Sequence, residues 1–345
     1  MSCGDRIIYL RFEIRRIHCE SCGMIRQEKL TWLGKNPFYT ERFALFVGYR
    51  CERQDISSLA RELKLDWKTV KAMEKEYMQM KLVRAEATEP LVIGIDEISV
   101  RKGHEYRIVV SDLAKRRPIW FGGQDRSEDS LDMFFQWLGP EKTVKIRLFV
   151  MDMWRAFEKS AMGNAPQAGI LYDKFHVMRH LGEAVDKVRK SEYARLSGEK
   201  RAFIKGQKYH LLSRKENLTL DGAAGLRELF KRNRRLYKAY LLKESFDRLW
   251  DYRYPQSARK FFDNWKDSLK WQKLEPLEQF ANLIERHWDG IVAYCRRDID
   301  DVPLGFVEGL NNKIRVFQRR AYGLRDEEYL RLKVLTCMLP PIEPP

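Results

Sequence analysis

Residues 91–97, Leu91-Val92-Ile93-Gly94-Ile95-Asp96-Glu97, and residues 146–152, Ile146-Arg147-Leu148-Phe149-Val150-Met151-Asp152, decide how this chain folds. Short runs rich in Val and Ile read as buried central strands. Each run arrives at an aspartate, and an unpaired carboxylate inside such a strand is costly to bury. At a strand's end, where the sheet edge opens into a cleft, the same aspartate can hold a divalent cation. Glu308 opens a basic helix far downstream. Two strand-end aspartates and one helical glutamate form an oxygen-rich set suited to Mg²⁺ (or Mn²⁺) and to phosphodiester cleavage. Asp96, Asp152 and Glu308 are therefore the candidate catalytic and metal-binding residues.

Working outward, residues 91–100, 105–112 and 117–122 read as three consecutive strands, with turns at Lys102-Gly103 and Lys115-Arg116. A helix over about 127–138, the Asp152 strand, another helix and a short strand over 168–172 follow. Asp173 then caps a helix carrying Phe175, His176, Met178 and Leu181. Three antiparallel strands followed by alternating helices and strands predict an α/β core with a mixed sheet. Glu97 follows Asp96 directly, and alternation along a strand points it to the opposite face. Asp173 ends a strand near the site, where capping explains it as well as catalysis does. His176 reads as a supporting residue rather than a base, because metal-activated water needs none.

From about residue 190 to 300 the pattern is helical, basic and free of strands, interleaved with Tyr209, Tyr237, Tyr240, Trp250, Trp265, Trp271 and Trp288. Basic and aromatic residues together can clamp and stack nucleic acid, although aromatics at helical spacing are more often core. Lys231-Arg232-Asn233-Arg234-Arg235 is the best local phosphate contact, with Arg234 as its representative. In the final helix, Val307, Leu310, Ile314, Phe317 and Ala321 gather on one side at about 100° per residue. On the other side Glu308, Asn312, Arg315 and Arg319 fall within about 60° of one another. A carboxylate for the cation heading guanidinium groups for flanking phosphates suits a DNA backbone; a solvated amphipathic helix has the same pattern.

Upstream, residues 56–75 suggest a helix-turn-helix. Leu59, Ala60 and Leu63 form one apolar face, Leu65 fills the turn, Asp66 caps the second helix, and Val70 and Met73 face inward. Lys64 stands where a turn glycine is usual. Trp67, Lys68 and Lys71 would then face the major groove; an ordinary helical hairpin is the alternative. Nearer the start, Cys19-Glu20-Ser21-Cys22 followed by Gly23 is one knuckle of a zinc ribbon. Cys3, with His18 as a fourth ligand, would complete a Zn²⁺ site with Cys19 and Cys22. A truncated or degenerate finger is the alternative, and the Met1-Ser2-Cys3-Gly4 opening suits it. Cys51, Cys295 and Cys337 are scattered, as buried reduced thiols are.

The chain has 345 residues, with 65 Lys and Arg against 49 Asp and Glu, a net charge of +16. An excess spread along the whole chain favours a polyanionic partner, of which nucleic acid is the commonest. No apolar stretch approaches the roughly 20 residues of a spanning helix, and no signal-peptide core opens the chain, so an intracellular location is expected.

Taken together these segments resemble the ISL-three type of bacterial insertion-sequence transposases, a branch of the DDE transposases. The matching pieces are Gly94-Ile95-Asp96-Glu97, Arg101-Lys102-Gly103-His104-Glu105-Tyr106, Val150-Met151-Asp152-Met153-Trp154 and Asp173-Lys174-Phe175-His176-Val177. The most specific is Gly305-Phe306-Val307-Glu308-Gly309-Leu310-Asn311-Asn312-Lys313-Ile314-Arg315, continuing to Arg319-Arg320-Ala321-Tyr322-Gly323. The resemblance implies a ribonuclease-H-like mixed-sheet core interrupted by an all-helical insertion, preceded by a zinc-ribbon remnant and a helix-turn-helix. It divides the chain into a zinc-ribbon-like segment (1–35), a helix-turn-helix DNA-binding domain (36–89), the first part of the core (90–190), the insertion (191–300) and a final core helix with its tail (301–345). It implies two-metal nicking and strand transfer of DNA by Asp96, Asp152 and Glu308. It also implies terminal inverted repeats and target DNA as partners, a homo-oligomer on DNA, no membrane, and a bacterial cytoplasmic, nucleoid-associated location. A hydrolytic nuclease of similar core and a non-catalytic regulator derived from a transposase are the alternatives.

Overall fold

A computed structural model describes residues 9–28, 30–34, 36, 38–101, 105–295, 302–303, 305–321, 324 and 326–343. Two short strands come first, β1 (Arg16–His18) and β2 (Ile25–Gln27), paired antiparallel around a turn that holds Cys19 and Cys22. Three helices follow, α1 (Glu41–Cys51), α2 (Ile56–Leu63) and α3 (Trp67–Arg84), capped by Thr40, Asp55 and Asp66, whose side chains each accept a backbone N–H of the first turn. Lys64 closes α2 in the left-handed region at φ 55° and ψ 40°. The Leu65 N–H reaches back to the Ala60 carbonyl at 2.9 Å, so the turn is a helix stop made without the usual glycine. Leu59, Ala60, Val70 and Met73 are buried with Ala44 and Val47 in one small core.

The sheet begins with β3 (Val92–Arg101), β4 (Glu105–Asp112) and β5 (Arg117–Gly122). The turn at Lys102-Gly103 lies outside the described residues, whereas that at Lys115-Arg116 is made with Arg116 at φ 49°. Next come α4 (Glu128–Leu138), the short α5 (Pro140–Thr143), β6 (Leu148–Met151), α6 (Arg155–Asn164) and β7 (Gly169–Tyr172). The strand order is β5-β4-β3-β6-β7; β5, β4 and β3 are antiparallel neighbours, and β3, β6 and β7 run parallel.

Among the described residues no strand follows Tyr172. The chain continues through α7 (Lys174–Ala194), α8 (Gly198–Gly206), α9 (Lys208–Leu212), α10 (Leu220–Arg232), α11 (Arg234–Phe246), α12 (Pro255–Ser268), α13 (Glu275–Arg286) and α14 (Trp288–Val292). It ends with α15 (Gly305–Arg320) and α16 (Glu327–Thr336). Of the helical aromatics, Tyr240 and Trp265 are buried, Trp250 and Trp288 half-buried, and Tyr209, Tyr237 and Trp271 exposed. The described residues form two compact units: those up to Ala87 together with those from Leu310, and Thr88 to Gly309. No described helix is long and apolar enough to cross a membrane.

The two faces of the sheet carry different cores, as strand alternation requires. Ile93, Ile95, Ile108, Val110, Phe149, Met151 and Tyr172 join the main core with helices between α4 and α14. Leu148, Val150 and Leu171 lie on the other face with Leu113, Ala293 and Val307. Each fully buried side chain of this size contributes roughly 1.5–3 kcal/mol.

Candidate active site

Register sets the level of the two aspartates. In the parallel pair β3/β6, Gly94 stands opposite Val150, the last registered pair. Two residues further along each strand are Asp96 and Asp152, level with one another where β6 has ended and β3 runs on. Ligands of open α/β sheets bind at such carboxyl ends. By alternation Asp96 shares the face of Val92 and Gly94, and Asp152 continues that of Leu148 and Val150. Both point to the side that carries Val307.

Val307, in the first turn of α15, rests directly on the strand. A Cβ added at Gly94 would lie 2.7 Å from Val307 Cγ2 and 2.9 Å from Leu113 Cδ2, so only glycine lets this turn sit so close. Glu308 follows Val307 and is therefore on the aspartates' side of the sheet, exposed, at the amino end of the helix. Asn312, Arg315 and Arg319 are also exposed on α15, and Arg315 Nη1 donates to Asn312 Oδ1 at 3.4 Å. Leu310 and Ile314 are buried on the opposite side; Ala321 lies just past the helix end and is exposed.

Asp96 is 9% exposed and Asp152 8%. Asp96 accepts the Glu97 N–H at 2.8 Å. Burial, aided by the like charges of Glu97 and Asp152, pushes its pKa up to about 6 despite the His176 imidazole nearby. Asp152 behaves oppositely. Burial alone would raise it, but His176, His180 and Arg179 hold it well below the usual carboxylate range. Arg179 Nη2 donates to Asp152 Oδ2 at 2.8 Å, His176 Nδ1 stands 3.5 Å from the same oxygen, and His180 Nε2 is 3.7 Å from Oδ1. The Met153 N–H also donates to Oδ1, at 2.7 Å. Burial works against a charge on His176, yet Asp152 and Asp96 outweigh it and its pKa is raised. Asp173 caps α7 through the Phe175 N–H at 2.9 Å, and burial raises its pKa.

One buried carboxylate thus leans toward its neutral form while the other is clamped ionised by three potential cations. Such a divergent pair is what clustered carboxylates awaiting a positive charge produce. The structure brings Asp96, Asp152 and His176 together and sets Glu308 on their side of the sheet. Among the described residues no three His, Cys, Asp or Glu side chains are close enough, as they stand, to hold a metal ion. The donor chemistry of the two aspartates still fits a hard divalent cation.

Arg179 and His180 were missed from sequence alone. Their signal was present, since they lie three and four residues after His176 and share its helical face. Arg126 was missed as well. Glu97 points to the opposite face, as expected, and pairs with Arg126 Nη1 at 3.2 Å. The Arg126 guanidinium lies 4.3 Å from the Tyr106 ring centre and 4.7 Å from that of Trp154. No sequence pattern linked residues this far apart.

The other predicted contact residues lie elsewhere. Trp67 and Lys68 open α3 and are exposed, with the Lys68 ammonium 5.9 Å from the Trp67 ring centre. Lys71 is half-buried and bound to Asp326 Oδ2 at 2.9 Å, over the Tyr329 ring. Arg234 is exposed at the start of α11; within its basic run Lys231 and Arg232 pair with Glu228, and Arg235 with Glu192. Cys3 lies outside the described residues. Cys19 Sγ is 3.1 Å from Ser21 Oγ, and bonds to Ser21 and then Cys22 bring its thiol down to about 7, toward the thiolate that zinc binds.

Comparison with known proteins identifies the family. A family model described as a transposase, of the ISL-three DDE type, matches residues 93–334. The transposase for insertion sequence element IS1001 of Bordetella parapertussis is 34% identical over 330 residues, covering 95% of this chain and 80% of that protein. The transposase for insertion sequence element IS1557 of Mycobacterium tuberculosis (strain CDC 1551 / Oshkosh) is 26% identical over 352 residues, covering 95% and 78%.

Proposed function

The chain belongs to the ISL-three family of transposases, and from that premise we propose that it binds insertion-sequence ends and catalyses metal-dependent nicking and strand transfer of DNA. One observation carries the reading. Asp96 and Asp152, both buried, stand level on adjacent parallel strands and face the side on which α15 begins with Glu308. The strand order β5-β4-β3-β6-β7, followed among the described residues only by helices, supports a ribonuclease-H-like core with a helical insertion.

Asp96, Asp152 and Glu308 would hold Mg²⁺ or Mn²⁺. Two such ions, once bound, supply activation of the attacking oxygen and stabilisation of the leaving oxygen. The chain's own residues do the rest. Arg179, His176 and His180 keep Asp152 ionised and oriented, and His176 favours the charged form of Asp96 too. Glu308, exposed and unbonded among the described residues, can turn toward the aspartates. Asn312, Arg315 and Arg319 extend a polar line along α15 for the phosphates that flank the scissile bond. End recognition falls to the three-helix region within 36–89, with Trp67 and Lys68 at the exposed start of α3 and Lys71 beside them. Arg234 adds a non-specific phosphate contact. Cys19 and Cys22 would supply two thiolates to Zn²⁺, with Cys3 a further ligand. The working form is a homo-oligomer on DNA in the bacterial cytoplasm, at the nucleoid.

Incubating the protein with end DNA and Mg²⁺ tests the reading. Strand-transfer products that vanish together in Asp96→Asn, Asp152→Asn and Glu308→Gln are expected. Hydrolysis without transfer would make the protein a nuclease. Binding with no metal-dependent cleavage by the wild type would make it a regulator.

A further inference from the structure

Trp271 is 93% exposed, the most exposed large apolar side chain among the described residues. It lies in the turn between α12 and α13, whose ends are anchored by the buried Leu269 and Leu274. Its backbone is left-handed, with φ 70°, and Lys273 two residues on has φ 54°. A residue with a Cβ is strained in this region, and glycine or asparagine is what a turn there ordinarily uses. The fold gains nothing from the indole, which buries almost no area. A costly backbone and a costly exposure at one residue mark a group held ready for something outside the chain.

The surroundings say what that is. Lys270 and Lys273 flank the indole and are exposed. Arg235 Nη2 donates to the Lys273 carbonyl at 2.8 Å, which sets the amino end of α11, with exposed Arg234, at the same corner. Of the nearby acids, Asp267 is engaged with Lys270 at 2.8 Å and Glu192 with Arg235 at 3.5 Å, while exposed Glu275, opening α13, accepts from Gln279 Nε2 at 3.1 Å. An apolar protein partner would not call for this rim of cations. A nucleic-acid strand does, because it offers phosphates for the cations and a flat face for the indole. Inside a duplex both faces of a base are already stacked, so the base that meets Trp271 has to be unpaired.

We propose that Trp271, with Lys273 and Arg234, forms a stacking site for an unpaired nucleotide of a DNA strand. The inference rests on the transposase reading and names one ligand class for its helical insertion.

Fluorescence anisotropy with oligo(dT), and separately with a fully paired duplex, measures the effect. Trp271→Ala is expected to weaken oligo(dT) binding by roughly 5- to 150-fold, the range for one aromatic–base stack, and to leave duplex binding within about twofold. Trp271→Phe keeps most of the single-strand affinity. Trp271→Gly loses it while melting no lower than wild type, since glycine suits the left-handed backbone; a purely structural tryptophan would show the reverse. Photocrosslinking of a 5-iododeoxyuridine oligonucleotide should map to Trp271. Unchanged oligo(dT) affinity in Trp271→Ala, or equal losses for duplex and single strand, overturns the inference and leaves the transposase reading standing. Wild-type protein that binds neither DNA overturns both.

Discussion

Arg179 Nη2 lies 2.8 Å from Asp152 Oδ2, whereas burial dominates the environment of Asp96, its neighbour across the parallel strand pair. Arginine is the one side chain there that never loses its charge. It therefore keeps one carboxylate of the site ionised before any other ligand arrives, and the second carboxylate bears the repulsion. The two aspartates make opposite demands on the fold.

That asymmetry predicts opposite effects of removing each charge. The Asp96 pKa in the fold, about 6, lies above the ordinary value of 3.8. Its stabilising share is complete below pH ~4 and is lost as pH rises through about 6. Asp96→Asn should thus stabilise the protein at pH 8, by on the order of 1–3 kcal/mol, and the gain should fade toward pH 4. Asp152 is depressed, so its share is present above pH ~4 and is lost only under strong acid. Asp152→Asn should destabilise at pH 8 because it removes the anion that Arg179, His176 and His180 face. Thermal melts across pH, without and with MgCl₂, check both, and Mg²⁺ should raise the wild-type melting temperature more than that of Asp96→Asn.

Glu308→Gln keeps size and hydrogen-bonding shape while removing the charge a hard cation needs. End DNA should bind about as well as to wild type, since Asn312, Arg315 and Arg319 are untouched. Nicking and strand transfer should fall together by at least about 100-fold, around 2.7 kcal/mol of barrier. Near-normal cleavage on a sequencing gel would make Glu308 a solvated helix residue, with Asp173 the next carboxylate to replace.

Gly94→Ala tests whether the first turn of α15 has to lie on the strand. The new methyl would meet Val307 and Leu113 closer than real Cβ contacts allow. Overpacking of this kind costs typically 1–3 kcal/mol, and the displaced turn should carry Glu308 away from the aspartates. A folded protein with much reduced cleavage and intact DNA binding is expected. Unaltered cleavage rates would show that the turn has room to shift.

Lys71 and Asp326 supply a prediction about recognition. Their 2.9 Å pair holds a predicted groove-facing lysine against α16. Asp326→Asn retains the helix cap that its Oδ1 gives to the Tyr329 N–H at 3.0 Å and removes the charge. Freed Lys71 should gain a phosphate, raising end-DNA affinity severalfold at low salt and steepening the log–log salt slope by about 0.9. A slope identical to that of wild type would mean Lys71 never reaches the DNA.

The strands were legible because their period and composition are local. Val92–Ile95 and Leu148–Met151 are continuous apolar runs, and Asp66 and Asp173 cap helices where the sequence places a short polar oxygen before an apolar turn. Lys64 showed why a missing glycine misleads. The helix stop forms anyway, since one strained residue is repaid by the Leu65–Ala60 bond and the core beneath it. The basic run at 231–235 looked like one patch, yet Asn233 breaks it by capping α11, and three of its four cations are paired with glutamates.

By itself the sequence determined the element types, the mixed α/β class, the two aspartates that follow apolar strand runs and the family, all properties carried by residues close together in the chain. That Asp96 lies within β3 rather than at its end was decided by the strand's continued pairing with β4. Only tertiary structure decided which charges meet. The level of Asp96 with Asp152 depends on strand register, the grip of Arg179 on the turn from β7 into α7, and the engagement of Lys71 on a helix more than 250 residues away. Charge pairing falls off within a few ångströms and ignores chain distance, so no local pattern could have foretold it.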